Sequence, residues 1–246
     1  MTAWLDHLGV VPEPIVALGL CLKVALALAC ARLTARAVRP AGAAAEHRAW
    51  AVAFGSVAAL VVAQPFAPRI PVALPVTIVP GTAGAAAHPW WPVIPARALV
   101  LAVRLASSVW LAGAVAMAAR LALGWIAAGR LVRGARPAPR AWAGGRVRVL
   151  MSDRLAVPVV CGVLRPAVVL PADAARWTCA RRDAVLRHER AHIERHDTLL
   201  FALAELAQVL FWFDPQVRHG LRALRRAAER ACDDRVLESG WPPFEY

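Results

Sequence analysis

The sequence predicts an α+β chain: three N-terminal transmembrane helices, then a mainly helical domain with a small β-sheet. Three observations predict it. Three long apolar runs occupy the first half, short alternating segments follow a Gly/Pro-rich stretch, and three helix-patterned segments close the chain. Across 246 residues, 59% are hydrophobic and the mean hydropathy is +0.52, which is too apolar for an ordinary soluble protein.

The apolar runs are Ile15 to Leu33, Ala49 to Ala67 and Ala98 to Ala119. Each approaches the ~20 residues that cross a ~30 Å hydrocarbon core. A secretory signal peptide fits poorly, because basic residues follow the first run and Asp6 stands where a positive region belongs. Arg32, Arg36, Arg39 and Arg48 lie between runs one and two, and Arg120, Arg130, Arg133, Arg136 and Arg140 follow run three. Positive residues accumulate on the cytoplasmic side, so the N-terminus is expected outside and everything after residue 120 in the cytoplasm. The outer loop, about 68–96, is Pro-rich and holds Trp90 and Trp91, suited to the membrane interface. Lys23, the sole lysine, falls within run one, where a cation costs roughly 2.5–3.5 kcal/mol. It implies either a polar contact with another helix or cavity, or a tilted span that lets the amine reach the interface.

Residues 134–145 read as a linker. Arg146–Met151, Val157–Gly162 and Ala167–Leu170 read as short strands, with a turn at Gly162 to Pro166. Thr178 to Arg195 reads as a helix with Thr178 as N-cap, Thr198 to Phe213 as a second, and Gln216 to Glu238 as a third. The second is apolar but short for a span. It reads as a buried core helix, with partial embedding in the membrane as the alternative. The expected division is a membrane domain over 1–133 and a cytoplasmic domain over 134–246.

The net charge of +13 raises the question of nucleic acid, but the arginines flank apolar runs and no nucleic-acid motif accompanies them. No direct nucleic-acid partner is expected; the bilayer is. Five cysteines, an odd number with no CxxC pair, exclude a disulfide framework and argue against a Cys-based zinc site.

Chemistry concentrates in His188-Glu189-Arg190-Ala191-His192, an HExxH motif inside an expected helix. Residues four apart share a helix face, so both imidazoles can reach one ion. Zinc suits neutral imidazole and takes four ligands, while Glu189 stands where it can take a proton from an activated water. A third protein ligand is needed. Position 198 is Thr, so a metzincin His is missing. His196 would need a helix break to join, and Glu205 sits in the apolar helix. Glu229 is the best candidate. It lies one turn before Asp233, so Glu229 can bind the metal while Asp233 accepts an N–H from a ligating His. His219, Arg222 and Arg226 are candidate donors to a developing oxyanion. The strand at Val159 to Cys161 is a candidate for pairing with an extended substrate.

Four ordered motifs carry a family resemblance. His188 to Asp197 (HERAHIERHD) resembles the HExxH helix of the BlaR/MecR-type membrane metallopeptidases, with Ile193, Arg195 and Asp197 at matching places. Phe211-Trp-Phe-Asp-Pro215 resembles their FWFNP segment, with Asp214 replacing the usual Asn. Glu229-Arg-Ala-Cys-Asp233 resembles their ExACD motif, whose Glu is the third zinc ligand, and Pro158 to Pro171 resembles a further stretch of the family.

The resemblance implies a zincin-like (gluzincin) metallopeptidase domain behind the spans, with Zn2+ as cofactor. His188, His192 and Glu229 would be ligands, Glu189 the catalytic base and Asp233 the orienter of a ligand. It implies a signal-responsive protease of the inner (cytoplasmic) membrane acting on a BlaI-type winged-helix repressor. The expected form is a short one without a penicillin-binding sensor, since a chain whose sole lysine is Lys23 cannot supply that sensor's SxxK motif. A housekeeping protease for membrane-protein quality control, or a non-catalytic zinc-binding signalling protein, are the alternatives; an intact Glu189 argues against the second.

Overall fold

A computed structural model describes residues 12–66, 96–142, 147–238 and 240. Three long helices come first: α1 (Pro12–Val38), α2 (Ala43–Ala63) and α3 (Ala96–Gly134). Apolar stretches over Val16–Ala41, Ala43–Phe66 and Arg97–Gly134 are long enough to cross a membrane. Trp90 and Trp91, expected in an outer loop, lie outside the described residues, and Lys23 lies on an exposed face of α1. Helix α3 runs on past Ala119, the expected end of its span. At 1.5 Å per residue it reaches about 58 Å, nearly twice a hydrocarbon core. The extension has a packing reason, because Ala128, Leu131 and Val132 cover one face of a sheet.

That sheet has four strands: β1 (Arg136–Pro137), β2 (Arg148–Ser152), β3 (Val159–Cys161) and β4 (Ala167–Pro171). Their order is β1-β2-β4-β3, with β2 and β4 parallel and both outer pairs antiparallel. The segment 134–145, read as linker alone, contributes β1. Two residues with a Pro carry no alternating pattern, and Pro137 is tolerated because the strand is at an edge. Central β4 is buried along its whole length. Val168 and Leu170 pack towards Leu186, while Ala167 and Val169 share a cluster with the residues of α3. The β3–β4 turn needs Gly162, whose φ is +97° and where a Cβ would fall 2.9 Å from the Arg165 carbonyl oxygen.

Three helices complete the fold: α4 (Cys179–Glu194), α5 (Asp197–Leu210) and α6 (Pro215–Glu238). The Thr178 hydroxyl accepts the Arg181 N–H at 3.2 Å, the N-cap expected there. Helix α4 stops where His196 turns left-handed, with φ 58°. His is among the residues that tolerate that region best.

Val24 and Leu28 of α1, Phe54 and Val57 of α2, Ala204 of α5 and Leu224 of α6 belong to one buried cluster. Segments on either side of residue 133 therefore share apolar cores twice: here, and where α3 covers the sheet. Helix α5 buries Ala202, Ala204 and Ala207 but leaves Leu199 and Leu206 exposed.

Candidate active site

Helix α4 presents His188 and His192 one turn apart, their ring centroids separated by 5.1 Å. Helix α6 crosses beside it and brings Glu229 to both. His188 Nε2 lies 3.5 Å from Glu229 Oε2, and His192 Nε2 lies 3.7 Å from Glu229 Oε1. The opposite nitrogens face other carboxylates. His188 Nδ1 is 3.1 Å from Asp233 Oδ1, and His192 Nδ1 is 2.7 Å from Asp197 Oδ2. An Nδ1–H given to a carboxylate leaves the Nε2 lone pair free to bind an ion. Ligand atoms about 2.1 Å from one tetrahedral ion stand about 3.4 Å from each other. The 3.5 and 3.7 Å separations, each to a different oxygen of Glu229, approach that spacing, so a carboxylate facing both imidazoles is compatible with a divalent ion.

Electrostatics follow from this crowding. Hydrogen bonds from His188 and His192 hold the Glu229 carboxyl down to about 2, against the effect of its partial burial. Burial disfavours a charged His192, but Asp197, Cys232 and Glu229 outweigh it and lift the imidazole to about 11, so the pair of carboxylates already invites a cation. Glu189 is buried, which raises its carboxyl above the usual range; the two histidines pull it back and Glu229 pushes it further up. The thiol of Cys161 on β3 is raised by burial and then by the charge of Glu189, so the edge strand runs close to that carboxylate.

The sequence model of the BlaR1 peptidase M56 family matches residues 21–240. The chain belongs to that family. It is a peptidase family, and with the three apolar helices the match makes this a membrane protein. The chain is similar to the "Regulatory protein BlaR1" of Bacillus licheniformis, with 30% identity over 94 residues. It is also similar to the "Methicillin resistance mecR1 protein" of Staphylococcus aureus, with 24% identity over 93 residues. These alignments cover 38% and 37% of this chain and 16% of each relative's length.

In this M56 chain the other sequence candidates lie elsewhere. His196 is exposed, and the helix break it creates brings Asp197 to the site instead. Glu205 pairs with Arg225. His219 packs edge-on against Trp50 and lies near the charges of Arg32, Arg226, Arg222 and Arg36. That cationic group belongs to the α1–α6 face, so the three oxyanion candidates gather around Arg32 and Arg36.

Four residues given no role at this site from sequence stand behind it. Asp197 is wholly buried and holds His192. Arg195 donates to Asp197 at 2.6 Å, to the Ala228 carbonyl at 2.9 Å and to Cys232 Sγ at 3.0 Å. His47, buried in the first turns of α2, puts Nε2 2.8 Å from Asp197 Oδ1, close in distance but off hydrogen-bonding direction. Cys232 forms with His188 and His192 a group whose ligand atoms lie within 4.8 Å. Arg195 and Asp197 had a signal, since both stand at matching places in the HExxH helix. His47 had none beyond being polar at the head of an apolar run.

Proposed function

We propose that this chain is an integral-membrane zinc endopeptidase, with a membrane part over 1–133 and a cytoplasmic peptidase part over 134–246. His188, His192 and Glu229 are its zinc ligands, Glu189 its general base, and Asp233 the group that orients His188. The observation that carries this reading is the convergence of both Nε2 atoms on Glu229 while both Nδ1 atoms face carboxylates. Cys232 is the competing third ligand, but its sulfur already accepts from the Arg195 guanidinium, a cation that a second cation would repel. Glu229 instead turns one carboxylate oxygen towards each imidazole, at 3.5 and 3.7 Å.

Bound zinc would supply a Lewis acid that lowers the pKa of water towards ~7 and polarises a peptide carbonyl. Glu189 takes the proton of the attacking water and passes it to the departing amine, a task for which a carboxyl raised by burial is suited. Asp197 and Asp233 keep the two imidazoles in one tautomer and orientation. Strand β3 lies at the sheet edge beside Glu189, and a substrate in extended form would add to that edge. Cys161→Pro should therefore cut peptide turnover at least tenfold with zinc content unchanged, measured by peptide assay and metal analysis. Full turnover would remove the edge strand from substrate binding.

The substrate we propose is a BlaI-type winged-helix repressor, a reading supported by the regulatory title of one relative and by family membership. The test is co-expression with such a repressor from a neighbouring gene. Wild type should convert it to a shorter form, a chelator such as 1,10-phenanthroline should stop conversion in detergent-solubilised protein, and added zinc should restore it. Proteomics decides the alternative: many shortened membrane proteins and an intact repressor would make this a quality-control protease.

A further inference from the structure

The turn between α5 and α6, Leu210-Phe-Trp-Phe-Asp-Pro215, packs against helices that cross the membrane, and three contacts measure its depth. On α3, the Trp110 indole N–H donates to the Leu210 carbonyl at 3.0 Å, and the Trp212 indole N–H donates to the Trp110 carbonyl at 3.1 Å. Trp212 is seated so closely that a Cβ on Gly113 would fall 2.2 Å from its ring. Trp110 lies about 13 Å along α3 from Ala119, the end of the apolar run. On α2, a Cβ on Gly220 would fall 3.0 Å from the Trp50 ring and 3.2 Å from Phe54, just inside the apolar run that starts at Ala49. Arg230 then meets Glu46 at 2.8 Å, just outside that run. Helix α6 therefore runs alongside α2 from inside the apolar zone to beyond its boundary.

We infer that the α5–α6 elbow re-enters the bilayer beside α3, with Leu210 to Phe213 about 10 Å inside the hydrocarbon boundary. Its occupant surface is acyl chain. Two features fit that environment independently of depth. First, both indole N–H groups are satisfied by backbone carbonyls, Trp110 by Leu210 at the end of α5 and Trp212 by Trp110 on α3, as a water-free layer demands. Second, the exposed side chains of this hairpin on the α5 side are Leu199, Leu206 and Phe213, continuous in character with the exposed Leu111 and Val115 of α3. Asp214 is the one ionisable group of the elbow. Its carboxylate accepts the Gln216 N–H at 2.8 Å at the positive end of α6, which offsets the cost of its charge.

One consequence reaches the site. Glu229 stands about 21 Å along α6 from Pro215, so the His188–Glu229 centre lies within roughly 10 Å of the hydrocarbon boundary, at headgroup level. The inference rests on the three helices crossing a membrane and is independent of which side faces the cytoplasm.

The test places a nitroxide on a genetically introduced p-acetylphenylalanine at Leu111, Phe213 or Leu237, one at a time, in full-length protein. Nanodiscs of phosphatidylcholine and phosphatidylglycerol hold the protein, and collision with oxygen is compared with collision with a nickel chelate. Leu111 should favour oxygen, Leu237 should favour nickel, and Phe213 should match Leu111 with a severalfold higher oxygen-to-nickel ratio than Leu237. Phe213 grouping with Leu237 overturns the inference while leaving the membrane reading intact. An aqueous Leu111 overturns the membrane reading and the inference with it. A label at Leu206, exposed on α5, should likewise favour oxygen, and nickel preference there also overturns the proposal.

Discussion

Glu189→Ala should abolish peptide cleavage while leaving zinc bound. The side chain is buried within electrostatic reach of both imidazoles and contributes none of the three proposed ligand atoms, so its removal takes a proton acceptor and spares the metal grip. A positioned general base contributes roughly 10²–10⁴-fold to rate, and a loss of that size is expected in kcat with KM little changed. Metal analysis of the purified variant should give the wild-type zinc content. Retained cleavage would remove Glu189 from the mechanism, and loss of zinc would instead make it part of the metal grip.

The pH profile of wild type carries the same assignment. The base works only when deprotonated, and burial raises the Glu189 carboxyl above its ordinary ~4.3. With zinc saturating, the rate should fall as pH drops, with a midpoint above that of an ordinary carboxylate. Glu189→Ala should lack this limb in whatever activity remains.

Much of this was legible in the sequence because the signals were local. Thr178 followed by a helix-patterned run locates α4, and the observed cap is that threonine. Gly162 and Pro166 locate the β3–β4 turn, because only glycine sits easily at the φ required. Glu229 was brought to the histidine pair by motif and spacing, and it lies there. What escaped is what depends on chain segments meeting from afar. The extension of α3 to Gly134 is stabilised by a sheet that forms later in the chain. His47 reaches Asp197 from a helix that reads as a plain membrane span. His196 reads from the sequence as a ligand only if the helix breaks. The helix does break there, and the residue delivered to the site is its neighbour Asp197.

Asp197→Ala should damage the site more broadly than any ligand-adjacent change. The carboxylate is fully buried and faces three cationic or potentially cationic groups: His192 at 2.7 Å, Arg195 at 2.6 Å and His47 at 2.8 Å. Removing one partner of a buried ion pair leaves the others uncompensated, at about 3–5 kcal/mol. Loss of a carboxylate behind a ligating imidazole typically weakens metal binding 10–100-fold. Cobalt titration of the variant should show that loss, and thermal unfolding in detergent should show the lower stability. Asp197→Asn, which keeps the shape without the charge, should fall between. The acid dependence gives an independent check. Burial alone would raise this carboxyl, but His192, His47 and Arg195 outweigh it and hold it well below the usual range. A carboxylate depressed in the folded state contributes its stability in full above the unfolded value of ~3.9 and loses it as pH falls below that. Wild type should therefore lose stability steeply below about pH 4 relative to Asp197→Asn, which has no proton to gain there. Parallel acid curves for the two proteins would mean that the Asp197 charge is not what joins α2 to the histidine of α4.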